Sequence, residues 1–213
     1  FVFLSSIKVN GEMTQPNNPF KPDDIHIPDD PYGLSKYEAE QGLLALAKGT
    51  DMEVVIIRPP LVYGPGVKGN FSSMMKRMSK PVPLPFGAIH NQRSLIALDN
   101  LVSFISLCVD LKNSSKASNQ VFLISDCQDV STTELLKKVR QALYFQSPSD
   151  RKAWLVPVPV YIITFFAKLL GKKDIAVRLF DSLQVDSSKS HDLLGWIPEV
   201  TIDEQLAKIL KEP

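Results

Sequence analysis

Apolar residues along this chain fall into short runs that switch between strand-like and helix-like spacing. Phe1 to Val9 opens on the apolar run Phe1-Val2-Phe3-Leu4 and reads as a buried strand, followed by a loop rich in Pro, Asn and Asp from Asn10 to Pro31. Between Gly33 and Ala47, Leu34, Ala39, Leu43, Leu44 and Leu46 recur at helical spacing, with Ser35, Lys36, Glu38 and Glu40 between them. Gly49 closes that helix. Met52 to Ile57 is a β-branched run, the pattern of a parallel strand covered on both faces. A loop of prolines and glycines follows, then a helix from Phe71 to Met78. Pro81 to Asn91 reads as irregular and Arg93 to Leu98 as a short extended piece. Asp99 is placed to cap a helix through Leu111, and Gln120 to Ile124 is another buried strand. Ser131-Thr132-Thr133-Glu134 fits a capping box that starts a helix from Glu134 to Leu143. Strands alternating with helices predict an α/β fold with a parallel sheet. From about residue 145 the chain reads as helices and loops, a smaller lobe.

Composition narrows the function classes. Of 213 residues, 24 are Lys or Arg and 23 are Asp or Glu, a near-balance that argues against a nucleic-acid partner. An apolar content of 44% with 22% charged residues suits a globular chain with a sizeable core. Cys108 and Cys127 are too few for a disulfide framework and lie far from metal-type spacing, which favours a reducing, cytoplasmic compartment. His26, His90 and His191 are scattered among loops, so no metal site is expected. Trp154 to Leu170 is apolar, but Pro157, Pro159 and Lys168 interrupt it, and a span needs about 20 clean residues. It predicts a buried or partly exposed helix instead. The chain opens on Phe1-Val2-Phe3-Leu4, as if within a strand, and is expected to be a piece of something longer.

Two patterns could carry chemistry. Gly64-Pro65-Gly66-Val67-Lys68-Gly69 matches G-x-G-x-x-G, but that fingerprint needs an acid about 20 residues on to hold a ribose. No Asp or Glu stands between Glu53 and Asp99, so the run reads as a tight turn leaving a strand. Tyr32 and Lys36 are four apart at the start of a helix and share a face. A phenol with the usual pKa near 10 is a poor base at neutral pH, and an ammonium one turn away favours its phenolate. On the spacing alone, two residues on a solvated helix face are the commoner reading. Around it, however, Pro31 and Gly33 fix the helix entry, Ser5-Ser6 ends a strand upstream, and a second buried strand follows.

Three segments in order carry a resemblance: Ser5-Ser6-Ile7-Lys8-Val9-Asn10-Gly11, Pro31-Tyr32-Gly33-Leu34-Ser35-Lys36, and Arg58-Pro59-Pro60-Leu61-Val62-Tyr63-Gly64-Pro65-Gly66. The chain resembles the extended short-chain dehydrogenase/reductase family, and within it the nucleotide-sugar epimerases and reductases related to UDP-galactose (UDP-glucose) 4-epimerase. The likeness continues through Arg93, the strand Gln120 to Ile124, Val185-Asp186-Ser187-Ser188-Lys189 and Leu194-Gly195-Trp196.

The resemblance implies roles for particular residues. Ser6, Tyr32 and Lys36 are the catalytic set: Ser6 hydrogen-bonds the reacting sugar oxygen, Tyr32 is the acid/base, and Lys36 holds the nicotinamide ribose. Ser5, Tyr32, Lys36, Arg58 and Pro59 are the cofactor-binding candidates, although Leu61 stands where relatives often have Asn. Ser6, Asn70, Leu84, Phe86 and Arg93 are the substrate-binding candidates, with Asn70 and Arg93 toward the diphosphate and Leu84 and Phe86 against the uracil. A planar bidentate donor suits Arg93's role. A further phosphate-binding Arg is expected near residue 176, where this chain has Ala176; Arg178 is out of register. The family's 4,6-dehydratases carry Asp-Glu directly after the catalytic hydroxyl residue. Ile7 and Lys8 stand here, which argues against dehydration.

The implied architecture is the C-terminal part of a Rossmann-like parallel sheet plus a smaller, mostly helical substrate-binding lobe. Residues 1–65 are expected to be the remainder of the dinucleotide-binding domain and 66–213 the UDP-sugar lobe, with 93–143 packing back on the sheet. The implied activity is NAD- or NADP-dependent interconversion of a UDP-sugar at C4, by 4-epimerase or 4-ketoreductase, in surface polysaccharide precursor synthesis. The intact enzyme is expected to be a homodimer, and this piece, without the glycine-rich cofactor loop, inactive alone. A non-catalytic, cofactor-sensing relative of the same fold is the alternative. Retention of Ser6, Tyr32 and Lys36 together speaks against it.

Overall fold

The computed structural model describes residues 1–15, 17–67, 70–110, 114–146, 153–169 and 179–211, with the backbone alone at residues 70, 114, 146, 166 and 167. In chain order the elements are β1 (Val2–Leu4), a 3-10 turn (Ile7–Val9), α1 (Pro31–Gly49), β2 (Val55–Arg58), β3 (Leu61–Tyr63), α2 (Asn70–Met78), β4 (Pro83–Leu84) and β5 (Leu95–Ala97). There follow α3 (Leu98–Val109), α4 (Ser114–Ala117), β6 (Gln120–Leu123), α5 (Thr132–Gln146), β7 (Trp154–Leu155), α6 (Val160–Leu169), α7 (Ser188–Leu194) and α8 (Ile202–Lys211). They form two compact units. The first gathers Phe1–Val62, Ser94–Gln128 and Leu183–Val200; the second gathers Tyr63–Arg93, Asp129–Ser182 and Thr201–Pro213. The expected division places a cut after residue 65 and packs 93–143 back on the sheet; in the structure Ser94–Gln128 rejoins the first unit, and so does the later segment Leu183–Val200.

The first unit is built on a parallel sheet of order β1-β2-β6. Val55 to Arg58 are all buried at its centre, paired with Val2–Leu4 on one side and Gln120–Leu123 on the other. This is what a β-branched run does when both faces are covered. Leu101, Phe104 and Cys108 of α3 pack on it, and Phe104 meets both Phe122 and Trp196 edge-to-face at 5.2 Å. Burial pushes the Cys108 thiol up to about 12, so it packs as a small apolar group. Asn100, fully buried in α3, donates to Asp126 Oδ1 at 2.7 Å and the Val200 carbonyl at 2.8 Å, and accepts from the Glu199 and Val200 amides. Of β3, Leu61 and Val62 belong to this unit, and the strand pairs with β5.

The strand predicted over Phe1 to Val9 stops at Leu4, and Leu4 is exposed. Ser6 Oγ accepts the Lys8 amide at 3.3 Å, which offers the backbone a turn in place of the ladder. Asp99 does not cap α3. Strand β5 runs directly into that helix, Ala97 holds the N-cap position without a side-chain bond, and Asp99 sits in the first turn.

In the second unit, β4 and β7 pair in parallel and α5 packs against α2 and α8. The capping box is present: Glu134 donates its amide to Ser131 Oγ at 3.0 Å, and Ser131 returns its amide to Glu134 Oε2 at 2.8 Å. The backbone bond from Ser131 holds the Glu134 carboxyl below its ordinary range. The helix starts two residues earlier than predicted, at Thr132. The apolar stretch at Trp154 becomes β7 and then α6, whose Tyr161, Phe165 and Leu169 are exposed. Among the described residues no helix is long and apolar enough to cross a membrane.

Gly87 shows how closely β4 and β7 approach. Its amide donates to the Val156 carbonyl at 2.9 Å, and a Cβ there would lie 2.8 Å from the Val156 carbonyl carbon and 2.9 Å from Pro157 N. Gly42, inside α1, has open space around its Cβ position. We therefore expect Gly87→Ala to destabilise by about 1–3 kcal/mol, the scale of overpacking. Gly42→Ala should stabilise by about 0.5–1 kcal/mol, because alanine loses less entropy in a helix. Urea titrations of both variants check the opposite signs.

Candidate functional site

The first unit places a hydroxyl-rich turn at the carboxyl ends of β1 and β2, the end at which open parallel sheets bind ligands. Ser5 donates its amide to the Ile57 carbonyl at 2.7 Å, and Ile7 donates its own to the Pro59 carbonyl at 3.1 Å. The Ser5-Ser6 turn is thereby fixed to the end of β2. Ser6 is half-buried, and its oxygen accepts the Lys8 amide, leaving the hydroxyl proton to be donated. Ser5 is 3% exposed, and its Oγ has no hydrogen-bond partner among the described residues.

Helix α1 brings the other two groups. Asp30 caps it by accepting the Gly33 amide at 3.1 Å, and Pro31 opens the first turn, where a missing N–H costs nothing. Tyr32 follows, 55% exposed, so its hydroxyl is accessible. One turn on, Lys36 Nζ donates to the Leu4 carbonyl at 3.0 Å and lies 4.9 Å from the Phe3 ring centroid and 5.9 Å from that of Tyr32. The ammonium thus bridges the end of β1, one residue before Ser5, to the tyrosine.

Arg58 is placed differently from what its neighbourhood suggests. Its side chain is 2% exposed, and Glu40, at 0%, pairs with it at 2.6 Å. Arg58 Nε also donates to Glu40, and Nη1 donates to Asn10 Oδ1 at 3.1 Å and the Pro22 carbonyl at 3.0 Å. What Arg58 can offer a cofactor is therefore its backbone, beside the buried Pro59. By sequence pattern Glu40 is one of the polar residues between the apolar positions of α1. It is instead the innermost side chain of that helix, while Leu46 is 56% exposed. A signal was available: an Arg ending a buried apolar strand needs an acid, and Glu40 shares a helix face with Tyr32 and Lys36.

In the second unit, Leu84 is buried in β4, and the Phe86 carbonyl accepts the Thr133 hydroxyl at 2.7 Å. Arg93 is half-buried, donates from Nη1 to the Asp181 carbonyl at 3.0 Å, and pairs its backbone with Val130. Burial pulls the guanidinium pKa down, and the Asp181 charge opposes this. Asn91, which sequence reasoning missed, holds the same segment. Its side-chain amide donates to Thr132 Oγ1 and to the Leu179 and Asp181 carbonyls. Asn70 opens α2, but its side chain lies outside the described atoms, as do Lys68, Gly69, Ala176 and Arg178. The earlier part of the glycine run is a turn after β3, with Gly66 at φ +69°. Among the described residues no group of three or more His, Cys, Asp or Glu side chains could hold a metal ion.

Residues 1–124 match the NAD dependent epimerase/dehydratase family. The chain belongs to that family. Over 205 residues it is 53% identical to the UDP-glucose 4-epimerase of Vibrio cholerae, covering 96% of this chain and 60% of that protein. It is 29% identical to the N-acetyl-alpha-D-glucosaminyl-diphospho-ditrans,octacis-undecaprenol 4-epimerase of Escherichia coli O157:H7, covering 99% and 64%. The chain thus spans 60–64% of the length of these two curated relatives. Among solved structures of this fold, RMD from Pseudomonas aeruginosa complexed with NADPH superposes with a TM-score of 0.73 at 20% identity, over 100% of this chain and 65% of that one. The UDP-glucose 4-epimerase of Thermotoga maritima with UDP-glucose gives 0.71 at 22%, over 99% and 62%. Sequences this far apart share the fold, a Rossmann-type α/β arrangement.

The family's nicotinamide cofactor can be set against the residues present. Among the described residues Ser5 Oγ is a buried polar atom without a partner, and the three N–H groups of Lys36 Nζ make one hydrogen bond, to Leu4. Both stand at the sheet's carboxyl end, where a hydroxyl-bearing group such as a ribose would satisfy them. The residues fit a hydroxyl-bearing part of that cofactor.

Proposed function

We propose that this chain carries the catalytic residues and the sugar-nucleotide lobe of an NAD-dependent UDP-sugar 4-epimerase acting on UDP-glucose or a close relative. The observation that carries this reading is the Lys36 ammonium, held on the Leu4 carbonyl between the Ser5-Ser6 turn and Tyr32. The 53% identity to a UDP-glucose 4-epimerase supports the substrate class.

Tyr32 takes the proton of the sugar C4 hydroxyl, and Ser6, its oxygen already accepting a backbone amide, donates its own proton toward the same sugar oxygen as charge builds there. Lys36 steadies the phenolate and, with Ser5, holds the ribose side of the cofactor. Bound nicotinamide supplies the hydride acceptor and donor. After the sugar turns over, Tyr32 returns the proton, so nothing is consumed. Arg93 and Asn70 bind the diphosphate, with Leu84 and Phe86 beside the base. The working form is a cytoplasmic homodimer that supplies surface-polysaccharide precursors.

The test is a product assay on the intact enzyme. Epimerisation of UDP-glucose to UDP-galactose at catalytic NAD, with no net NADH formed or used, is the expected result. Stoichiometric consumption of NADH on a 4-keto sugar would make it a reductase instead. Arg93→Ala is expected to weaken UDP binding by about 10- to 100-fold, the scale of ~1.5–3 kcal/mol for hydrogen bonds to a charge. Arg93→Lys should recover only part of it, because a point charge cannot reproduce the planar fork. Equal UDP affinity by calorimetry in all three forms would remove Arg93 from the diphosphate site.

A further inference from the structure

Lys8 and Asp30 have no place in the scheme above, yet one ion pair joins the segments that carry both hydroxyl groups. Lys8 Nζ lies 2.8 Å from Asp30 Oδ2 and 3.1 Å from Glu12 Oε1, and the Lys8 and Asp30 side chains are 23% and 32% exposed. Lys8 belongs to the 3-10 turn that Ser6 caps, and its own amide is the donor that orients Ser6 Oγ. Asp30 is the N-cap of α1, two residues before Tyr32, and its other oxygen, Oδ1, accepts the Gly33 amide. One carboxylate therefore fixes the start of the tyrosine's helix with one oxygen and the serine's turn with the other. Ser6 and Tyr32 are 26 residues apart in sequence, and the loop between them is tied to the serine's turn through Asn10, which donates to the Lys21 and Asp24 carbonyls, and through the His26 amide on the Val9 carbonyl; the Lys8–Asp30 pair carries that tie on to the helix start.

Resting on the epimerase reading, we infer that Lys8 and Asp30 are positioning residues that set the Ser6 hydroxyl relative to the Tyr32 hydroxyl. Glu12 holds the ammonium from its other side. The pair touches no reacting atom, so it acts on turnover through geometry, where small misplacements are costly. Partly exposed pairs of this kind contribute little to global stability. That separates a positioning role from a merely structural one.

The test uses the intact enzyme with UDP-glucose and four variants: Lys8→Met, Lys8→Arg, Asp30→Asn and the Lys8→Met/Asp30→Asn double variant. Asn is as good an N-cap as Asp, so Asp30→Asn keeps the helix start and removes only the charge. Lys8→Met and Asp30→Asn are each expected to lower kcat by about 10- to 100-fold with KM and thermal midpoint nearly unchanged. The double variant should be no worse than either single change, and Lys8→Arg should restore most of the rate. In the unliganded protein, exchange of the Lys8 amide should quicken in both single variants. Wild-type kcat in Lys8→Met, additive losses in the double variant, or a change confined to KM would overturn the inference. An inactive wild-type enzyme with altered Lys8 amide exchange in the variants would sink the epimerase reading and leave the clamp itself standing.

Discussion

Tyr32→Phe in the intact enzyme is expected to cut turnover of UDP-glucose by roughly 100-fold or more, the usual scale for losing a positioned acid/base. The change removes one oxygen. The ring stays beside Lys36, the Asp30 cap and the Pro31 entry are untouched, and Tyr32 makes no core contact that its exposure would allow to matter. Folding stability should therefore hold within about 0.5 kcal/mol, as for other surface substitutions. UDP-sugar affinity should also hold, because in the proposed scheme the lost group acts on a proton in the transition state. The resulting pattern is a fall in kcat with KM nearly constant. Undiminished turnover would take Tyr32 out of the chemistry and leave Lys36 as an ordinary cation at a strand end.

The largest expected loss of stability belongs to Glu40. Glu40→Ala leaves the Arg58 guanidinium buried with Asn10 and the Pro22 carbonyl as its remaining partners among the described residues, and breaking such a pair costs about 3–5 kcal/mol. In a chain of this size that lowers the thermal midpoint on the order of 10 °C. Asn10 also donates to the Lys21 and Asp24 carbonyls, so the loss should spread into the loop before α1. Glu40→Leu combined with Arg58→Met, which removes both charges, should recover much of the deficit. If Glu40→Ala melts with the parent protein, the pair does not anchor α1 to β2, and the placement of Tyr32 and Lys36 needs another explanation.

What could be read from the chain beforehand was what depends on neighbours in sequence. The β-branched run ending at Ile57 announced β2, the i, i+4 spacing put Tyr32 and Lys36 on one face, and Ser131 with Glu134 marked the start of α5. Each of those signals is complete within a few residues. The Glu40–Arg58 pair spans 18 residues and the Asn100–Val200 bonds span 100, and no periodicity encodes either. Glu40 was misjudged because charge was equated with the solvent side. Asp99 was misjudged because a capping residue type stood one step inside a helix that begins directly from a strand. Ser6 is a candidate through resemblance, since a serine ending a strand has no local mark of chemistry.

The late return of Leu183–Val200 to the first unit has a consequence for how this chain is made. Phe104 and Phe122 leave the ribosome well before Trp196, which must close over them, and Val185 must reach back to Phe20. At about 5–20 residues per second, the interval between residues 128 and 200 lasts on the order of ten seconds. During it the first unit's apolar core is open on the side that Trp196 and Leu194 later fill. The nascent chain is then a client for any holdase that recognises aromatic clusters. Slowing translation between Asp129 and Ser182 should lengthen that exposure and lower the soluble yield, with no change in the stability of the finished protein.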